Sequence, residues 1–150
     1  HHLYGVRVTL LRFFTVYGPR QRPDMAIHKF VRLISQGDPV PMYGDGSSRR
    51  DYTYIDDIID GVVRCVDRPF DYEVMNLGEH HTTSLAELID LIARHLGRSA
   101  VIDPQPVQPG DVSITYASVE KAQRLIGYAP RTSMEEGIAR FVRWRRETCA

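Results

Sequence analysis

The chain holds 150 residues, 43% hydrophobic and 25% charged, with 19 basic side chains against 19 acidic ones. Length and apolar content describe one globular domain that buries a core without disulfides or metal, and they exclude a disordered chain. The balanced charge withholds the basic surplus that nucleic acid or an anionic membrane demands, no apolar run approaches the roughly 18 residues that cross a bilayer, and the opening HHLYGVRV lacks a signal-peptide layout. The expectation is a cytoplasmic protein with neither nucleic acid nor membrane as partner.

In chain order, residues 6–14 (VRVTLLRFF) are β-branched and aromatic with little polar interruption, which predicts a strand buried on both faces. After Tyr17-Gly18-Pro19 and Pro23, Ile27, Phe30, Val31 and Ile34 fall on one stripe of a helix over 25–35, with Asp24 as N-cap and Gly37 as its end. Strands over 40–43 and 51–55, joined by Gly44-Asp45-Gly46-Ser47-Ser48, read as a hairpin. Asp56 then caps a helix to about Asp67. Residues 72–77 predict a strand, and 84–96 an amphipathic helix with the stripe Leu85, Leu88, Ile89 and Ile92 and a capping box from Ser84 to Glu87. A short strand near 100–102, a proline-rich loop over 104–110 and helices over 118–126 and 133–146 complete the chain, with Gly127 and Pro130 between the last two. The sum is an α/β chain with a small mixed sheet and helices, residues 1–150 forming a single domain.

Cys65 and Cys149 lack CxxC spacing and read as free thiols, Cys65 as a small buried apolar residue. His1-His2 and His80-His81 have no third ligand at helical or turn spacing, so no metal is expected. Asp56-Asp57 reads as capping and first-turn charge rather than a catalytic pair. Arg143-Trp144-Arg145-Arg146 closes a helix, where arginines favour the negative dipole end and solvent. No GxGxxG stands between a strand and a helix, so the chain carries no dinucleotide fingerprint.

The run from Arg12 to Ala26, RFFTVYGPRQRPDMA, is too particular for periodicity to explain. It resembles the extended short-chain dehydrogenase/reductase family, and within it the nucleotide-sugar 4-epimerases acting on UDP-glucuronate or UDP-glucose. Tyr43-Gly44-Asp45-Gly46 leading to Arg50-Asp51-Tyr52-Thr53-Tyr54-Ile55-Asp56-Asp57, then Asn76-Leu77-Gly78, Gln108-Pro109-Gly110-Asp111-Val112 and Leu125-Ile126-Gly127-Tyr128-Ala129-Pro130 agree in order and spacing. The resemblance covers essentially the whole chain but half of the family's protein. The GxxGxxG loop that binds NAD and the Tyr-x-x-x-Lys pair that moves protons are missing, so the chain resembles the carboxy-terminal, substrate-binding half. It implies inversion at the sugar's C4 through a 4-keto intermediate in the complete, NAD-dependent enzyme, with an isolated half that is inactive, holds no NAD alone and has an exposed apolar patch.

By that resemblance, Arg50 contacts the diphosphate, the helix start at Met25 and Ala26 offers N–H groups to the phosphates, and Asp111 accepts the ribose hydroxyls. Thr15 and Arg22 hold the carboxylate of a glucuronate, which favours UDP-glucuronate over UDP-glucose. Met42 and Tyr43 border the uracil, or else fill the hairpin core. Gln108 departs from an arginine that gives many relatives a second diphosphate contact. Phe13 lies beside the nicotinamide, or is simply a core ring. Arg49 and Arg20 read as solvated. The implied partners are a UDP-sugar and the amino-terminal NAD-binding half. Two other readings remain open: a stand-alone, non-catalytic module for nucleotide sugars or another protein, and part of an NDP-sugar dehydratase or decarboxylase.

Overall fold

The computed structural model describes residues 1–148; Cys149 lies outside them. Its elements are β1 (Val8–Phe13), β2 (Thr15–Tyr17), α1 (Ala26–Gln36), β3 (Val40–Tyr43), β4 (Arg49–Arg50), β5 (Tyr52–Tyr54), α2 (Ile55–Asp67), β6 (Tyr72–Leu77), β7 (Thr83–Ser84), α3 (Leu85–Leu96), β8 (Ile102–Gln105), α4 (Glu120–Ile126) and α5 (Met134–Thr148). The α/β class holds, but the sheet is a set of two-stranded pieces. β1 runs parallel to β6, β2 to β5 and β3 to β8, while β4 and β7 are antiparallel.

The expected hairpin is therefore absent. Gly44 and Gly46 take positive φ, and Asp45 accepts the backbone N–H of Ser47 at 2.9 Å, which bends the chain without folding it back. β5, buried at all three residues, instead pairs with β2, because α1 supplies the crossover that a parallel pair requires. β8 extends through Pro104, so the proline loop begins later than the composition predicts; β8 pairs with β3 alone, and a strand with one free side tolerates a residue lacking an N–H.

The strand reading of residues 6–14 also needs correction. β1 has one hydrogen-bonded neighbour, and Leu10 and Phe13 are 43% and 51% exposed, so it is not buried on both faces and Phe13 is not a core ring. Ile59, Val63 and Val66 on α2 are exposed as well. Asp24 does not cap α1: Met25 is the N-cap without a side-chain bond, and Asp24 instead pairs with Arg22 at 3.2 Å. Likewise Tyr54, not Asp56, is the N-cap of α2. Asp56 pairs with Arg140 at 3.2 Å, while Asp57 accepts the backbone N–H groups of Arg131 and Thr132 at 3.0 and 3.1 Å. The capping box at Ser84 is present in both directions, 3.2 Å from the Glu87 N–H and 2.8 Å from the Ser84 N–H to the Glu87 carboxylate.

Two cores result. In the first, α1, α3 and α5 bring Ile27, Phe30, Val31, Leu88, Ile92, Ile138 and Phe141 against Tyr17, Val40, Tyr52 and Tyr54. The second joins Ile58 and the buried Cys65 of α2 to Met75, Leu77, Ala122, Ile126 and Tyr128, and burial raises the Cys65 pKa. Each large apolar side chain so buried contributes about 1.5–3 kcal/mol. No helix among the described residues is long and apolar enough to cross a membrane.

Gly137 admits α5 against β2, since a Cβ there would collide with the phenol of Tyr17. The Tyr17 hydroxyl is buried and has no hydrogen-bond partner. Gly137→Ala is expected to destabilise by about 1–3 kcal/mol through overpacking. Tyr17→Phe removes the orphan hydroxyl and the nearest of the clashing atoms while the ring carbons stay close, so it should restore part of that loss, as urea unfolding of the single and double variants will show.

Candidate functional site

α1 starts without an acidic residue in its first turn and without a side-chain cap at Met25. The N–H groups of Ala26 and Ile27 remain available to an anion, but that of the N-cap Met25, expected to serve the phosphates, donates to the Arg22 carbonyl oxygen at 3.2 Å, and that of His28 to Gln21 Oε1 at 3.3 Å. Beside this helix start lies a pocket of about 230 Å³ lined by Asp24, Ala26, Lys29, Phe30, Pro41, Tyr43, Ser48, Arg50, Tyr52, Leu85 and Asp111. A smaller pocket of about 160 Å³ shares Tyr43, Ser48 and Asp111 with it and adds the glycine turn, Val107, Gln108, Val112 and Ser113.

Arg50 is the fixed cation of this site. Its guanidinium donates to Asp111 at 2.5 Å and to the carbonyl oxygen of Arg49 at 2.9 Å, and the side chain is only 20% exposed. Two of its nitrogens are thereby oriented while other N–H groups stay free for a planar, multiply charged acceptor. Tyr52, two residues on and so on the same strand face, has its phenol pKa pushed up to about 12, chiefly by burial, against a smaller downward pull from Arg50. It stays a neutral hydrogen-bonding group at any physiological pH.

The structure gathers Ala26, Tyr43, Arg50 and Asp111 into one pocket and Gln108 into the adjoining one. Met25 stands at the mouth as the N-cap of α1. Met42 turns instead to the first core, as alternation along β3 requires once Tyr43 faces the pocket. Thr15 sits in β2 opposite Tyr52, outside both pockets. Arg22 is 75% exposed and reaches the pocket rim through Asp24 at 3.2 Å and Met25 Sδ at 3.7 Å. Phe13 stands half-exposed at the end of β1, also outside both pockets. One exposed ring does not make a dinucleotide site, and no chemical step through NAD follows from these residues. Lys29, Ser48 and Tyr52 are additions that the sequence reading missed. Helical spacing from Met25 to Lys29 and strand alternation from Arg50 to Tyr52 are the signals that find them.

Arg49 is not a solvated neighbour. It donates to Thr82 Oγ1 at 2.9 Å, to the Thr82 carbonyl oxygen at 2.7 Å and to Glu87 at 3.2 Å, which fastens β4 to the start of α3. The loop carrying Arg22 is pinned by Gln21, whose amide donates to the Val16 carbonyl oxygen at 3.0 Å and whose own carbonyl oxygen lies 2.7 Å from His28 Nδ1. A carbonyl only accepts, so Nδ1 carries the proton.

Behind Arg50, Asp51 is 0% exposed and accepts from Thr53 Oγ1 at 3.0 Å and from the backbone N–H groups of Glu79, His80 and Ala117 at 2.8, 3.3 and 3.1 Å. Glu79 lies nearby with Oε2 buried and without a partner. Burial first, then the charges of Asp57 and Asp51, raise its pKa to about 7.

Comparison with known proteins identifies the family. Residues 1–141 match the family model described as GDP-mannose 4,6 dehydratase. A UDP-glucuronate 4-epimerase from Thermodesulfobacterium geofontis is 40% identical over 148 residues, which are 98% of this chain and 46% of that protein. The crystal structure of UDP-glucuronic acid 4-epimerase from Bacillus cereus, in complex with UDP-glucuronic acid and NAD, superposes with a TM-score of 0.92 at 34% identity and covers 98% of this chain and 48% of that one. UDP-glucose 4-epimerase from Thermotoga maritima, solved with UDP-glucose, gives 0.94 at 31% identity, covering 99% and 49%. The α/β scaffold is thus shared with solved nucleotide-sugar epimerases. The chain belongs to the extended short-chain dehydrogenase/reductase group, in the family of nucleotide-sugar epimerases and dehydratases that the GDP-mannose 4,6-dehydratase model describes. It spans about half the length of the relatives it matches.

Two outcomes follow for the carboxylates behind the pocket. Asp51→Ala strands three backbone donors, each worth about 1–3 kcal/mol when buried and unpaired, so unfolding should show a loss of at least about 3 kcal/mol. Glu79 binds its proton more tightly folded than unfolded, so its contribution to stability is fullest in acid and declines as pH rises from about 4.5 to about 7. Thermal unfolding of Glu79→Gln should lack that decline and melt higher than the parent at pH 8.

Proposed function

We propose that this chain is the carboxy-terminal, UDP-sugar-binding half of an NAD-dependent nucleotide-sugar 4-epimerase, with UDP-glucuronate as the preferred sugar nucleotide. The observation that carries the reading is the pocket itself: Arg50, oriented by Asp111, faces the uncapped start of α1 and Lys29 across a space lined by Tyr43 and Tyr52. Two cations and a helix N-terminus converging on a partly apolar cleft suit a diphosphate with an aromatic base attached.

In this reading Arg50 and the N–H groups near Met25 and Ala26 hold the diphosphate, with Lys29 adding charge. Asp111 exchanges its bond from Arg50 for the ribose hydroxyls, while Tyr43, beside the inward-turned Met42, borders the uracil. Gln108 contributes a neutral hydrogen bond in the adjoining pocket. Thr15 and Arg22 meet the sugar carboxylate; the lone exposed ion pair to Asp24 leaves Arg22 easily redirected, since such pairs are worth about 0–1 kcal/mol. The relatives' coverage and the missing GxxGxxG and Tyr-x-x-x-Lys patterns support an assignment in which hydride transfer from C4 and proton transfer belong to the NAD-binding half, with Phe13 near the nicotinamide of the joined enzyme. The chain alone then binds without turnover.

Calorimetric titration of the chain with UDP-glucuronate, UDP-glucose and UDP at fixed salt tests this. All three should bind through the diphosphate, and Arg50→Ala should weaken each by at least tenfold. Arg22→Ala should weaken UDP-glucuronate selectively and leave UDP-glucose unchanged. Absence of heat with every uridine ligand overturns the pocket assignment, and equal losses with both sugars overturn the carboxylate assignment.

A further inference from the structure

On the far side of the first core, a cavity of about 490 Å³ lies between α1, α3 and α5, lined by Arg32, Ser35 and Gln36 from the first, Leu96 and Arg98 from the end of the second, and Val142, Arg145 and Arg146 from the third. Four guanidiniums line it, Arg32 from α1, Arg145 and Arg146 from α5 and Arg98 from the segment just after α3, and among the described residues no carboxylate does. In a chain with 19 basic and 19 acidic residues, that is a strong local segregation of charge.

Helix ends explain part of it. α1, α3 and α5 all bring their carboxyl termini toward this cavity, and each carries roughly half a negative elementary charge there. The sum, about −1.5, is well short of four guanidiniums. The glycine caps already satisfy part of the last turns of α1 and α3. Gly37 sends its N–H to the carbonyl oxygens of Ile34 and Leu33, and Gly97 does the same for Ala93 and Arg94. Arg146 alone donates to a main-chain carbonyl, that of His95 at 3.3 Å. Arg32 bonds the neutral amide of Gln36 at 3.2 Å. Among the described residues, Arg98 and Arg145 have no hydrogen-bonded or ion-paired partner, although Arg145 is half-buried, as is Arg32. Arg98 and Arg146 are exposed, so Arg145 is the guanidinium that is both partly withdrawn and uncompensated, and it loses hydration without return unless an anion joins it.

We propose that this cavity is a second anion-binding site, for a small phosphate-bearing anion with at least two phosphoryl groups, held by Arg32, Arg98, Arg145 and Arg146. Its concavity and size, within the range of small-ligand sites, favour a compact polyphosphate over an extended polymer, which would require a basic track across the surface. Among the described residues no aromatic ring lines the cavity, so recognition is of phosphoryl oxygens and not of a base. The site lies apart from the Arg50 pocket, with no lining residue in common.

The test is titration of the chain with inorganic pyrophosphate in an Arg50→Gln background, so that the diphosphate pocket proposed above does not contribute. Saturable one-to-one binding that falls at least tenfold in Arg98→Gln/Arg145→Gln, with circular dichroism unchanged, is the expected result. Pyrophosphate binding that persists undiminished in that double variant overturns the site. So does a lower melting temperature of the double variant with no pyrophosphate binding in its parent, because the arginines then serve only the helix ends. Binding of a single-stranded oligonucleotide without binding of pyrophosphate also overturns it, in favour of a polymer surface.

Discussion

The buried carboxylate of Asp51 is the constraint on which the rest of the molecule turns. It sits between β4 and β5 and collects donors from its own strand, from the turn after β6 and from the segment before α4. Three stretches far apart in sequence are thereby held at one point, and the charge is tolerated because each donor lowers the cost of removing it from water. Arg50 precedes it and Tyr52 follows it, so pleat alternation sends both of these to the opposite face, where the pocket lies. The scaffold and the site share a single register, and a shift of one residue would exchange a structural acid for a binding cation.

Close packing around this point has the same character. Gly78 leaves no room for a Cβ, which would meet Ala117 and the Asp51 carboxylate, and the Tyr128 hydroxyl reaches the Gly78 carbonyl oxygen at 3.0 Å. Glu79 is the one carboxylate of the region with an oxygen left buried and unsatisfied. Its place is set by its backbone, whose N–H Asp51 holds, and not by its own side chain. That is why neutralisation by a proton is the inexpensive state for it.

Local chemistry was largely legible in the sequence. Ser84 with Glu87, Gly37 and the strand over 72–77 act where side-chain spacing alone decides, and the structure places them as read. Pairing was not legible, because the turn at Gly44–Ser48 is compatible with a hairpin until one knows that α1 offers β5 a better partner in β2. Of the site, the family motif led to Arg50, Asp111 and Tyr43. Lys29 carries no motif and Tyr52, though inside one, carries no role from it, so both are recovered only by projecting helix and strand periods from those anchors. Asp51 lies inside the family motif, but its structural role was not legible, since a buried aspartate with backbone donors from two distant segments has no sequence signature.

The unequal edges of the small sheets bear on how the protein behaves in a test tube. β3 and β8 contain Pro41 and Pro104, each missing a donor, and that pair makes a poor template for a further strand. β1 has no proline, has one hydrogen-bonded neighbour and displays Leu10 and Phe13. Such an edge invites another copy to extend it. Of the strands in these small sheets, β1 is therefore one whose backbone is open to a further strand.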